Sequence, residues 1–175
     1  KAGGLLPAYD AGFISLDKQF LTIGINGMVE AAEYLGIAPT NNEQYKDFVR
    51  HHLKIIYEEN RKAREVYGYM FNTEFVPAEN LGVKNALWDK KDGLFSPREC
   101  YNSYFYAVED TQVNALDKII LHGKEIIQYL DGVSALHLNL EETPNKEGFL
   151  KLLNATALAG CNYFCFNIRI TICNE

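Results

Sequence analysis

The chain has 175 residues, a net charge of −6 and a pI of about 5.3; at 47% hydrophobic and 23% charged it has the composition of one globular domain, not of a disordered segment. No Lys/Arg cluster interleaves with aromatic residues, which argues against nucleic acid as a direct partner, and no apolar run approaches the ~20 residues of a membrane span. The N-terminal Lys-Ala-Gly-Gly-Leu-Leu-Pro carries no signal-peptide pattern, and the lack of an initial Met points to a trimmed or internal start.

Helix-like and strand-like segments alternate, with no internal repeat. Residues 20–25 read as a short strand broken by Asn26-Gly27. Residues 28–35 read as a helix stopped by Gly36 and Pro39. Asn41 or Asn42 caps a long helix over residues 43–69, with Phe48, Leu53, Ile56 and Tyr57 at apolar spacing and the polar run 58–65 as its solvated face. Residues 71–76 read as a strand. Pro77 suits the first position of a short helix over residues 78–84, and residues 89–97 form a polar turn. Residues 101–108 are aromatic and strand-like. Residues 116–130 read as one helix ended by Asp131-Gly132. Residues 134–140 alternate as a strand. Thr143 opens the next helix, whose core face spans residues 149–158; Gly160 ends it, and a final strand begins at Tyr163. This β-α-β-α rhythm predicts an α/β fold with four or five mainly parallel strands, in part of a barrel or in an open sheet.

Ligands in such folds bind at the carboxyl ends of strands. Three stretches there are unusually polar. Residues 71–80 place Glu74 and Glu79 around a rigid Pro at a strand-to-helix junction; Glu79 would also serve as a helix-dipole partner. Asn102 and Ser103 lie between aromatics, as pocket lining or as a hydrogen-bonded turn. Gly132 and Ser134 form a small-residue loop that a phosphate could approach, although no G-x-G-x-x-G or Walker pattern is present and the loop precedes its strand. His137 reads as a core or interface histidine, and His51 and His52 as exposed. Cys100, Cys161 and Cys165 read as small buried hydrophobes. All four cysteines read as reduced thiols of a cytoplasmic protein. Cys173 is half of a C-x-x-C knuckle, and a single cysteine does not hold zinc.

Five stretches taken in order, "TIGINGMVEAAEYLG", "NTEFVPAENLGVKNALWDKKD", "YNSYFY", "LHGKEIIQYLDGVSALHLNLEE" and "GCNYFCFNIRITICNE", resemble the C-terminal part of the catalytic domain of class III (anaerobic) ribonucleoside-triphosphate reductases, from about Gly12 to Glu175. The resemblance implies part, the second half, of a ten-stranded α/β barrel of the glycyl radical enzyme type. It implies a parent enzyme that makes deoxyribonucleoside triphosphates from ribonucleoside triphosphates by glycyl and thiyl radical chemistry, with formate or a redoxin as reductant. An iron–sulfur, S-adenosylmethionine-dependent activase is the implied partner, and zinc held by two C-x-x-C pairs the implied metal.

Carried over position by position, Pro77-Ala78-Glu79 matches the family's P-A-E, with Glu79 as acid–base residue and Glu74 beside it. Asn102-Ser103 matches its N-S element, and Gly132 and Ser134 its loop before a strand. Cys173 matches the first zinc cysteine. The thiyl-radical loop is expected before Lys1, and the glycyl radical motif and remaining zinc cysteines beyond Glu175. The chain is therefore expected to be a single fragment of the catalytic barrel domain. Without those parts it is expected to be inactive and without cofactor, and its open edge strands favour a homodimer. Two other classes fit the residues less well: a barrel fragment of another glycyl radical enzyme acting on a small carbonyl or diol, and a non-catalytic α/β binding module.

Overall fold

The computed structural model describes residues 3–75, 77–107, 113–140 and 142–168. A short helix α1 (Pro7–Asp10) and a 3-10 turn (Leu16–Lys18) lead into strand β1 (Phe20–Gly24). Helices α2 (Met28–Tyr34) and α3 (Glu43–Tyr67) then cross to strand β2 (Met70–Glu74). Helix α4 (Glu79–Lys91), an irregular segment, and helices α5 (Ala115–Leu121) and α6 (Lys124–Ile127) precede strand β3 (Ala135–Leu140). Helix α7 (Lys146–Ala159) connects β3 to strand β4 (Tyr163–Ile168).

All strand pairings among the described residues are parallel, as the alternation with helices demands. β1 pairs with β2 from Phe20↔Met70 to Gly24↔Glu74, and β3 with β4 from Ala135↔Tyr163 to Leu140↔Ile168. A parallel bridge, Phe75↔Ser134, joins the two pairs. It is held by Gly132 N–H to Thr73 O at 2.9 Å, Phe75 N–H to Val133 O at 2.8 Å and Ala135 N–H to Phe75 O at 2.9 Å. β3 therefore begins where β2 ends, a stagger of about 17 Å at ~3.3 Å per residue.

Asn42 caps α3, its side chain accepting from Tyr45 N–H at 2.9 Å. The buried stripe of α3 is Tyr45, Val49, Leu53 and Asn60; of the expected stripe Leu53 is buried, and Phe48, Ile56 and Tyr57 are half-buried. Asn60, inside the run read as solvated, donates to Thr73 Oγ1 at 2.7 Å and ties α3 to β2. Gly68 and Gly160, at φ of 71° and 80°, end α3 and α7 in the left-handed region where a Cβ is costly.

Four expectations are corrected. Helix α4 starts at Glu79 with Ala78 as N-cap, so Pro77 precedes the helix, and it runs through Asp89 to Lys91. Residues 101–107 form no strand: every one is buried, which a half-buried alternating strand does not allow, and their backbone follows a bent path through the core. The helix expected over 116–130 breaks at His122-Gly123. A Cβ on Gly123 would lie 2.8 Å from Ala159 O, so the break admits the end of α7. Asn145, not Thr143, caps α7, accepting from Gly148 N–H at 2.8 Å. Val76, Val108 and Cys173, with the end of the last strand, lie outside the described residues.

The core joins Tyr45, Val49 and Leu53 of α3 to Phe75, Phe105, Tyr106 and the inner faces of α5, α6 and β3. Phe75 and Phe105 stack at 4.1 Å between centroids. All five residues of β1 are exposed, and Tyr163, Phe164 and Ile168 leave β4 partly open. Cys100, Cys161 and Cys165 are half-buried rather than buried. The Cys161 thiol, pushed up to about 11 by burial, is a poor nucleophile. No helix among the described residues is long and apolar enough to cross a membrane.

Tyr45 yields a first prediction. Its ring is wholly buried, and its hydroxyl has no hydrogen-bond partner among the described residues. Burial foremost, then the charges of Glu30 and Glu33, push the phenol above its ordinary range. Tyr45→Phe removes an unpaired polar atom while keeping the ring, and is expected to raise stability by about 1 kcal/mol in urea unfolding. A loss of stability would reveal a partner for the hydroxyl.

Candidate functional site

β1 runs out into Ile25-Asn26-Gly27 and β2 into Phe75, with Pro77 and Ala78 ahead of α4. The two turns lie side by side, with Ile25 N–H donating to Glu74 O at 3.1 Å. Residues 98–103 fold over them. Ser103 Oγ accepts from Ala78 N–H at 3.0 Å and from Asn26 Nδ2 at 2.8 Å, so one hydroxyl joins both turns. Asn102 O accepts from Gly27 N–H at 2.9 Å. Asn102 N–H donates to both Glu30 oxygens at 3.2 Å, and Asn102 Nδ2 to Glu30 Oε1 at 2.6 Å.

Glu30 is 4% exposed, and a carboxylate so buried persists only when paired and hydrogen-bonded. Arg98 Nη1 stands 3.1 Å from it and also forks onto Glu33 at 2.5 and 2.6 Å. Gly82 lets α4 press against the same segment: a Cβ there would lie 2.5 Å from Tyr101 O.

Glu79, the first residue of α4, is exposed. Its backbone oxygen accepts from Cys100 Sγ at 3.5 Å. Its side chain acts on Tyr104, whose phenol is held above its ordinary value by burial first and then by the Glu79 charge. Tyr104 stacks on Tyr106 at 5.5 Å and tilts against His137 of β3 at 5.7 Å.

The sequence places Gly132 at the wrong, amino end of its strand for a ligand loop. The stagger resolves this, because the amino end of β3 is the carboxyl end of β2. A Cβ on Gly132 would stand 2.8 Å from Thr73 O and 2.9 Å from Glu74 Cβ. Glu74 and Gly132 are thus neighbours, while Glu79, Asn102 and Ser103 are joined through the turns. Ser134 points elsewhere: it is buried, and its Oγ lies 2.7 Å from Nδ1 of the fully buried His122.

Sequence reasoning missed Asn26, Glu30 and Arg98. Asn26 Oδ1 is buried without a partner among the described residues. A cavity of about 430 Å³ opens between α2 and α4, lined by Asn26, Gly27, Glu30, Tyr34, Trp88 and Tyr101 among others. None of the six site residues expected at the strand ends lines it. Among the described residues, no group of three or more His, Cys, Asp or Glu side chains could hold a metal ion.

The family model for anaerobic ribonucleoside-triphosphate reductase matches residues 5–175. No curated protein matches the chain. A solved anaerobic ribonucleotide reductase superposes with a TM-score of 0.82 at 32% identity, over 98% of this chain and 28% of its own. The Thermotoga maritima anaerobic ribonucleotide reductase with dATP bound in the specificity site gives 0.81 at 32%, over 98% of this chain and 30% of its own. The same enzyme in complex with dATP and CTP gives 0.80 at 32%, over 94% and 28%. The chain thus spans less than a third of the length of these structures. With the family model matching nearly the whole of it, the chain belongs to the anaerobic ribonucleoside-triphosphate reductase family.

Proposed function

We propose that this chain is a section of the catalytic barrel of an enzyme that reduces ribonucleoside triphosphates to their 2′-deoxy forms. The observation that carries the reading is that Glu74 and Gly132 are neighbours at the carboxyl end of β2, and that Ser103 joins the turns after β1 and β2 one residue before Glu79. The Thermotoga maritima relative binds dATP and CTP, which supports a nucleotide as ligand. The stagger between β2 and β3 has the character of strand shear, and supports a barrel of the glycyl radical enzyme type rather than a flat sheet.

In this reading Glu79 moves a proton at the ribose, and its exposure leaves it free to reach substrate. Glu74 and Gly132 form the adjoining wall, Gly132 because nothing larger fits beside Thr73. Asn102, Ser103 and Ser134, whose side chains are engaged by the protein, fix the wall. A glycyl radical and the thiyl radical it generates supply hydrogen-atom abstraction in the parent. Zinc, with Cys173 as one ligand, supports the radical-bearing region. An iron–sulfur, S-adenosylmethionine activase, a homodimeric parent and a cytoplasmic setting complete the proposal.

The test is the complete parent protein, activated under anaerobic conditions. Its glycyl radical is counted by EPR, and deoxynucleotide formation is followed from each ribonucleoside triphosphate. Deoxynucleotide formed only with the radical present is the expected result. A fully formed radical with no nucleotide reduction, or turnover of a small diol instead, would overturn the reading.

A further inference from the structure

Resting on that reading, we propose that Glu30, clamped by Arg98, is a positioning residue for the reaction, acting on Glu79 through a relay of hydrogen bonds without touching substrate. A carboxylate in the short apolar run Met28-Val29-Glu30-Ala31-Ala32 is costly to bury, and simple packing of α2 would be served better by an apolar residue. Here, besides the pair with Arg98, it receives three hydrogen bonds from the backbone and side chain of Asn102. Asn102 is gripped from the other side by Gly27 N–H.

The next residue, Ser103, transmits that position: its Oγ receives Ala78 N–H, one residue before Glu79. The relay therefore runs Glu30, Asn102, Ser103, Ala78, Glu79, with each link a hydrogen bond or a peptide bond. Arg98 supplies the countercharge beside Glu30 in the interior. Its fork onto half-buried Glu33 anchors it to the same helix. Residues 101–107 lack a strand ladder, so side-chain grips of this kind fix their path.

A displaced acid–base group loses rate far more than binding, because misplacement of about 1 Å can cost 10²-fold. The test uses the complete, activated parent. Wild type is measured first: if it takes up the glycyl radical and reduces no nucleotide, the functional reading fails, not the relay. Given wild-type turnover, Glu30→Gln keeps the shape but removes the charge that pairs with Arg98 and sets an N–H₂ against the Asn102 N–H that now donates to both carboxylate oxygens. It is expected to lower kcat at least tenfold, with KM within threefold and radical content unchanged.

Glu33→Gln loosens the same arginine without touching Asn102 and is expected to keep kcat within twofold. Because Glu30 acts through Glu79, the double variant Glu30→Gln/Glu79→Gln is expected to be no more than threefold slower than Glu79→Gln alone. Should Glu30→Gln fail to take up the radical, Glu30→Asp keeps the charge but withdraws both oxygens from Asn102; it is expected to lose kcat at least fivefold. Wild-type kcat in whichever of these takes up the radical fully, equal losses in Glu33→Gln, or multiplying losses in the double variant would each overturn the proposal.

Discussion

Gly82→Ala is expected to destabilise the chain by about 3 kcal/mol, although the same change in an unobstructed helix stabilises by up to about 1 kcal/mol. The two effects oppose each other, and geometry decides. Gly82 lies in the first turn of α4, its backbone oxygen accepting from Tyr101 N–H at 3.2 Å. An added Cβ meets Tyr101 O at 2.5 Å, Cys100 Sγ at 3.0 Å and Tyr101 N at 3.2 Å. Two of these are backbone atoms and cannot swing aside. Relief requires α4 to retreat from residues 100–103, which pulls Ala78 away from Ser103 and breaks the joint between the two turns. Gly24→Ala, where a Cβ meets nothing within 4 Å, is the control and is expected to leave the urea midpoint within about 0.5 kcal/mol of wild type. An unchanged or raised midpoint for Gly82→Ala would mean that α4 and the 101–103 segment are not in contact.

The readable parts of this fold are those set by local periodicity. Strands β1, β2, β3 and β4 and helices α2 and α3 follow from runs of residues that alternate or recur every three to four positions. The 101–107 segment misleads because its aromatics mimic a strand; its burial on every side is a property of the surrounding helices. The break at His122-Gly123 is invisible locally because both flanks keep helical spacing, and the reason for it, Ala159, lies in α7. The site divides in the same way. Glu74 and Glu79 stand out beside Pro77 at a strand end. Glu30 does not, since a carboxylate in a seven-residue helix reads as surface, and its partners Arg98 and Asn102 are 68 and 72 positions away. Gly132 reads correctly as preceding its strand, but that this point is also the carboxyl end of β2 is not legible, because the stagger between β2 and β3 is a long-range quantity.

The chain is also expected to lose stability as pH falls below 6.5, through His122. Burial first, and then His137, lower its pKa from 6.5 to about 3. Its Nδ1 meets Ser134 Oγ at 2.7 Å, while its Nε2 has no partner among the described residues and faces a shell that includes the Phe105 and Tyr106 rings. No charged form is accommodated there. The unfolded chain takes up a proton near pH 6.5 and the folded chain only near pH 3. Between these values the unfolded state binds more protons, so stability falls as pH drops; above 6.5 the contribution is constant. The slope approaches about 1.4 kcal/mol per pH unit inside the window. Carboxylates titrate in the lower part of the same window, so the measurement is a difference. His122→Phe/Ser134→Ala removes both hydrogen-bonding partners together, which keeps the core apolar and leaves no orphaned hydroxyl. Urea unfolding of both proteins from pH 7.5 to 5.0 is expected to give near-equal stability at the upper end. Toward pH 5 the wild type is expected to fall behind by about 2 kcal/mol. Parallel pH profiles would mean that His122 accepts a proton in the folded state, and that the space around its Nε2 is not dry.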